Sequence, residues 1–305
     1  MNVKESIRNF ILTRLGVNNK FQQSDEKIDS LYYFLNQYVD IRKIPPSKDE
    51  DLRILQKCDA LLIAIFHELC GKYGLKYWLD FGTLLGAVRH HGFVPWDDDT
   101  DISMPRKDWE RALELFPPIL QQYGISLFLD KCRLCMTYKH KETGIWIDIF
   151  AVDDYLTNKC TFDEMQSLKR KVENYKKHRD KTDLNKIPLA EQTAFRDNLV
   201  GKGEGNSRLY WICGFEHVSI FKNEYLFPLS ELRFEGISLK VPADSKTILS
   251  NYYGDYLSFP KSGLLHHGEA TGRPPLSQWA KLYGGGNMNN VKEYLENIRV
   301  EIGNK

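Results

Sequence analysis

The clearest periodicity in the chain lies between residues 47 and 74. Apolar residues recur at Leu55, Cys58, Leu62, Ile65 and Leu69, the spacing of one helical face. Ser47 and Glu50 stand ahead of it at capping-box spacing, and Gly71 and Gly74 supply a stop. Upstream, "SDEKIDSLYYFLNQYVD" repeats the helical spacing with Ser24 as a candidate cap. Residues 1–46 therefore read as two short helices, closed by the Ile-Pro-Pro of 44–46.

Beyond Gly74 the period shortens. "LKYWLDF" reads as a short strand, and "GTLLGAVRH" as a helix opened by Gly82 and Thr83 with Asp80 as its cap. "HGFVPWDDD" is punctuated by Gly92 and Pro95 and reads as a loop. "TDISM" alternates like a strand, with Asp101 and Ser103 on one side. A helix over 107–116 follows, then a double proline and a further helical turn. "ISLFL" and "RLCMTYK" read as paired strands, and "GIWIDIFAV" as a buried strand. After Val152 the pattern turns helical. Thr161 and Glu164 form a second capping box before a lysine-rich helix that runs to about Asp180. More helix is expected over 188–199, a loop over 201–208, and a hairpin in "LRFEGISLKVP" turning at Gly236. Asp244 caps a short helix ending at Tyr252, Tyr253 and Gly254, and a last helix covers about 288–300.

Strands alternating with helices over 75–152 predict an α/β (α+β) class with a mixed-sheet core. The expected organisation is an N-terminal helical extension over 1–46, the core over 47–155, and a helix-rich accessory region over 156–305 packed on that core.

Composition narrows the function without naming it. The 305 residues carry a net charge of +1, with 42% apolar and 27% charged residues. No global field favours nucleic acid or an anionic membrane. Cys58, Cys70, Cys132, Cys135, Cys160 and Cys213 read as reduced thiols. The one CxxC, Cys132–Cys135, has no second ligand pair for zinc and sits in a strand-like run. The N-terminus is amphipathic and unlike a signal peptide. The longest apolar run, 60–66, is far below the roughly 20 residues of a membrane span. These features point to the cytoplasm, with membrane contact no more than peripheral.

The chemistry concentrates in Asp97, Asp98, Asp99 and Asp101, four acids in five residues that lead into an apolar strand. Asp97, Asp99 and Asp101 share one parity, while Asp98 points the other way. Asp148 stands inside a second apolar strand, where a carboxylate is costly to bury unless paired or bound to metal. Two same-face carboxylates plus one from a neighbouring strand suit a hard cation such as Mg²⁺. An EF-hand loop fails, because Ile102 replaces the required glycine and Asp108 the final glutamate. Asp99-Thr100-Asp101 also satisfies the Asp-x-Asp of glycosyltransferases. Gly82-Thr83, after a strand and opening a helix, has the form of a phosphate site. Together with the acids it makes a nucleotidyltransferase pattern, a metal clamp on a nucleotide diphosphate.

"FGTLLGAVRHHGFVPWDDDTDISMPR" resembles the signature of the LicD family of phosphocholine transferases, related to fukutin-type ribitol-phosphate transferases. Weaker similarity continues through "GIWIDIF" and "LRFEGISLKVP…YYGDYLSFP". Thr100 stands where the family often has isoleucine. The resemblance implies a nucleotidyltransferase-like core that moves phosphocholine from CDP-choline onto a sugar hydroxyl of a cell-surface glycan or its lipid-linked precursor, releasing CMP. It implies that Asp97, Asp99, Asp101 and Asp148 hold Mg²⁺, with Mn²⁺ as the alternative ion. Asp148 is either a ligand only or also the base on the acceptor hydroxyl. It implies that Gly82 and Thr83 cradle phosphate. The helix-rich region over 156–305 reads, from its pattern alone, as accessory or acceptor-side.

Other residues enter as candidates. Arg89 could grip a phosphate or pair with the acids, and Lys139 or His140 could neutralise the diphosphate. Trp96 is the best placed of a possible aromatic cage that also draws on Tyr77, Trp78, Tyr138, Trp146 and Trp211. Asp80 and Arg106 read as structural. His266 and His267 could reach a phosphate. The lysine-rich helix reads as a solvated face with a secondary attraction to anionic lipid. CDP-ribitol or CDP-glycerol is an alternative donor. A catalytically silent nucleotide- or glycan-binding protein is the alternative class, and the intact acid set argues against it.

Overall fold

The computed structural model describes residues 17–130, 133–139, 145–179, 190, 191, 194, 197, 204–213, 218–260 and 288–304. The chain divides into a small unit, Met1–Pro45 with Asp255–Leu264, and a large one, Pro46–Gly254 with Leu265–Lys305. The small unit contains helix α1, Val17–Tyr38. Ser24 lies inside this helix and is not its cap. Within the same unit the Phe259 amide donates to Asn36 Oδ1 at 2.7 Å.

The large unit opens with α2, Glu50–Tyr73. Its cap is Asp49, not Ser47: Asp49 Oδ1 accepts from the amides of Asp51 and Leu52. A carboxylate there also suits the positive end of the helix dipole. Ser47 Oγ accepts from the Asp49 amide one step earlier. Gly74 ends the helix in the left-handed region, φ 65°, which a residue with a Cβ adopts only at a cost. The predicted apolar face is buried, and so are Leu61, Ile63 and Phe66 on other faces. The second cover is α7, Met288–Gly303, whose Val291, Leu295 and Ile298 are buried and which packs on α2.

The chain then runs through β1 (Trp78–Leu79), α3 (Phe81–His90), β2 (Asp101–Pro105) and α4 (Arg106–Leu115). A turn over Pro117–Leu120 leads to β3 (Ile125–Asp130), β4 (Arg133–Tyr138), β5 (Trp146–Thr157) and α5 (Phe162–Arg179). Strands β6 (Ser207–Cys213), β7 (Val218–Lys222), β8 (Ser230–Phe234) and β9 (Ile237–Val241) precede α6 (Ser245–Tyr253). Among the described residues the central sheet has seven strands in the order β1-β2-β5-β4-β3, with β6 on β5 and β7 on β6. Only β2 and β5 pair in parallel, so the sheet is mixed, as the alternating pattern predicts.

The sheet extends past residue 155. β6 pairs with the C-terminal half of β5, inside the stretch expected to be accessory and helical. α5 seats Leu168 and Val172 against Leu209 and Trp211 of β6. Its capping box is half realised. Thr161 Oγ1 accepts from the Glu164 amide, but the Glu164 carboxylate takes the Thr157 hydroxyl instead of reaching back. β8 and β9 form the expected separate hairpin, with Gly236 at φ 84°. The helix expected over 188–199 and His266–His267 fall largely or wholly outside the described residues, as do His140 and Cys132.

Candidate active site

The register of the parallel pair builds the site. Asp101 on β2 stands directly opposite Asp148 on β5, and Ser103 opposite Phe150. On β4, Cys135 faces Asp148 and Arg133 faces Phe150. Because side chains alternate, Asp101, Ser103, Asp148, Phe150, Arg133 and Cys135 share one face. The Asp148 amide donates to the Thr100 carbonyl at 2.9 Å, which ties the acidic loop to β5. Burial pushes the Asp101 carboxyl well above the usual carboxylate range. The charges of Asp99, Asp148, Asp97 and Asp80 push it further.

Asp80 organises the neighbouring edge. Its Oδ2 accepts from Ser103 Oγ at 2.6 Å, and its Oδ1 accepts from the Phe81 amide and the Tyr252 hydroxyl, both at 2.9 Å. Its own amide donates to the Asp101 carbonyl at 3.1 Å. Asp80 thus caps α3, as the sequence suggests, and also joins β2 to α6. Burial raises its carboxyl, and the hydrogen bonds from Ser103, Phe81 and Tyr252 pull the other way. Phe81 sits in the left-handed region, φ 43°, stacked on Tyr252 at 4.8 Å and edge-on to Phe150 at 5.4 Å. A non-glycine residue in that region is held there by its surroundings.

Gly82 and Thr83 are engaged by the acid segment itself. Thr83 Oγ1 accepts from the Asp101 amide at 2.8 Å, which fixes the start of β2. A Cβ on Gly82 would lie 2.7 Å from Asp97 Oδ2, so glycine is what lets that carboxylate lie over the N-terminus of α3. Asp98 is buried.

Arg89 is buried, with its guanidinium 5.9 Å from the Trp96 ring and its Nε donating to His90 Nε2 at 3.0 Å. Burial pushes its pKa down to about 10, and the charge of Asp97 opposes that shift. Trp96 therefore already serves an internal cation. Tyr77, Trp78, Tyr138 and Trp211 are buried in the core and do not form an open cage. Lys139 directly follows β4, with its ammonium 5.3 Å from the Tyr138 ring. Arg106 pairs through two nitrogens with Asp153, a structural role.

Three residues at the site were not among the predicted site residues. Arg133 Nε lies 3.0 Å from Asp148 Oδ1. The alternation of "RLCMTYK" places Arg133 on the same face as Cys135, and pairing that hairpin with β5 would have brought it to Asp148. Tyr252 binds Asp80. Tyr253 is 44% exposed, and partial burial together with the charges of Asp101, Asp80 and Asp97 raises its hydroxyl.

Among the described residues no three acidic, histidine or cysteine side chains form a ready-made metal cage. The donor set is nonetheless all carboxylate, and like charge crowds Asp101 from four neighbours. Such a set fits a hard divalent cation in its chemistry.

Residues 74–196 match the family described as LicD/FKTN/FKRP, nucleotidyltransferase domain. Over that stretch the chain resembles a LicD-type domain. That domain contains Asp97, Asp99, Asp101 and Asp148; α2 precedes it, and β6 to α7 follow it. The chain is 27% identical over 234 residues to the lipopolysaccharide cholinephosphotransferase LicD of Haemophilus influenzae, covering 65% of this chain and 88% of that protein. It is 49% identical over 35 residues to the ribitol 5-phosphate transferase FKRP of Mus musculus and of Homo sapiens, 12% of this chain and 7% of each relative.

Proposed function

We propose that this chain is a phosphotransferase that moves a phospho-substituent from a CDP-activated donor to a hydroxyl of a cell-surface glycan or its lipid-linked precursor. The observation that carries the reading is the facing pair Asp101–Asp148, crowded by Asp97 and Asp99 at the N-terminus of α3. The named activities of the relatives support the reaction class. Asp97, Asp99, Asp101 and Asp148 would hold Mg²⁺ or Mn²⁺, which would offset negative charge on the diphosphate and its leaving group. The acceptor oxygen forms a bond to the distal phosphorus, the phosphoanhydride bond breaks, and CMP leaves with the electron pair. Asp148 would take the acceptor proton, or serve as a metal ligand only. Thr83 and Gly82 keep the acids aligned with the start of α3. No described helix is long and apolar enough to cross a membrane. A cytoplasmic site of action, at the inner face of the membrane, suits a lipid-linked acceptor.

Phosphocholine is the first reading of the transferred group. A phosphopolyol is the second, and one observation favours it: Trp96, the best candidate for a choline contact, already faces Arg89. A thermal-shift and turnover screen of CDP-choline, CDP-ribitol and CDP-glycerol with and without Mg²⁺ tests both. Metal-dependent stabilisation by one donor, with CMP release on adding a glycan acceptor, supports the function. Binding without turnover supports a silent binding protein.

A further inference from the structure

Gln56 lies on α2, outside the matched domain, and is 1% exposed. A fully buried glutamine must satisfy its amide inside the protein. Its Nε2 donates to the Asp97 carbonyl at 2.8 Å and to the Val94 carbonyl at 3.4 Å. Those carbonyls flank a turn closed by the Asp97 amide donating to Val94 O at 2.9 Å. Gln56 therefore grips both ends of the turn from which Asp97 projects over Gly82.

Gln56 is itself held. Arg53, one turn earlier, donates to Gln56 Oε1 at 3.1 Å and through two nitrogens to the Glu235 carboxylate. Glu235 sits at the β8–β9 turn in the left-handed region, φ 49°. Its Oε1 accepts from the Phe93 amide at 3.3 Å, and its amide donates to the His91 carbonyl at 3.0 Å. A Cβ on Gly92 would lie 2.4 Å from that Oε1. The first half of the loop is thus held by Glu235, the second by Gln56, and Arg53 joins the two holders.

We propose that Gln56 is a positioning residue for the acidic loop, locked in place by the Arg53–Glu235 pair, and that it sets where Asp97 and Asp99 stand for cation binding. The inference rests on the proposed cation role of the acids. A donor amide fixed by a guanidinium fork has one orientation, and a loop held at two carbonyls has little freedom left. Partners that orient ligands from behind change metal affinity by about 10- to 100-fold when removed.

The test uses the full chain, with Mn²⁺ as probe. Gln56→Met keeps the side-chain length and removes both donations. It should weaken Mn²⁺ binding by about tenfold and speed amide hydrogen exchange over residues 93–99, leaving exchange in β5 unchanged. Glu235→Gln should shift both readouts in the same direction by less, and it decides the matter if Gln56→Met does not fold. Leu61→Val, on the same helix, should lower Tm and leave both readouts alone. Unchanged exchange over 93–99 in the folded variants would overturn the proposal, as would an equal effect from Leu61→Val. If the wild type binds no Mn²⁺, the cation reading fails, and the exchange arm still decides the role of Gln56 in holding the loop.

Discussion

Asp101 and Asp148 stand directly opposite each other on β2 and β5, the one parallel pair in the described sheet. Like charges in that relation destabilise a sheet. Asp101→Asn should therefore leave the metal-free protein as stable as wild type or raise its Tm by about 2–4 °C, the equivalent of about 1 kcal/mol for a domain of this size. Turnover should fall below detection. Melting curves in chelator and CMP release in Mg²⁺ read the two effects, and wild-type turnover in chelator would defeat the metal role.

Gly82→Ala places a methyl group where Asp97 Oδ2 now lies. The carboxylate is the end of a flexible side chain and can turn away, so the fold should survive with a Tm change of only a degree or two. Asp97 would be displaced, and Mn²⁺ affinity should fall at least tenfold. Titration of Mn²⁺ into both proteins checks it. Equal affinity would show that Asp97 is not a ligand.

Asp148→Asn separates two roles. If Asp148 takes the acceptor proton, turnover should fall about 10²- to 10⁴-fold with donor affinity changed far less. Parallel loss of both would make Asp148 a ligand only. Arg133→Met should cost about 1–2 kcal/mol, because Asp148 would lose the guanidinium at 3.0 Å.

Tyr252→Phe removes one of the donors to Asp80. A buried acceptor losing a partner costs about 1–3 kcal/mol. Denaturant unfolding should show that loss. Ser103→Ala should show a similar one, since Ser103 Oγ also donates to Asp80.

Partial burial and the neighbouring Arg89 push His90 down to about 4, against about 6.5 for a free histidine. The unfolded chain therefore binds this proton first as pH falls. The stability tied to neutral His90 is whole above about pH 6.5 and is lost as pH falls through the folded value. Between pH 7 and 4 wild-type Tm should drop more steeply than that of His90→Gln, which keeps an acceptor for Arg89 but does not titrate. Parallel curves would refute this assignment.

Much of this was legible in the residues. α2, "TDISM", "GIWIDIF", the Gly236 turn and the Asp244 cap are local signals, and each formed where its period or turn chemistry placed it. The strand-like run from Asp101 and the lone Asp148 anticipated acids on neighbouring strands, whereas Asp99 stays outside β2. β6 and β7 were missed because "RLYWIC" and "VSIFK" show no clean alternation. β6 becomes a strand through pairing with the far half of β5, and β7 through pairing with β6. Gln56, Arg53 and Glu235 carry no motif, since their partners lie up to 182 residues away. Arg133 needed the register of three strands before its alternation meant anything.

β5 is twelve residues long and serves both halves of the sheet. Asp148 near its start shares a face with Asp101, and Asp153 five residues later has the opposite parity, where it clamps Arg106 at the head of α4. A strand of fixed rise acts here as a ruler with two marks, one for chemistry and one for anchorage. Deleting a single residue between them cannot be absorbed by a local adjustment. It would put either the acid or the clamp on the wrong side, so this stretch should tolerate changes of side chain and refuse changes of length.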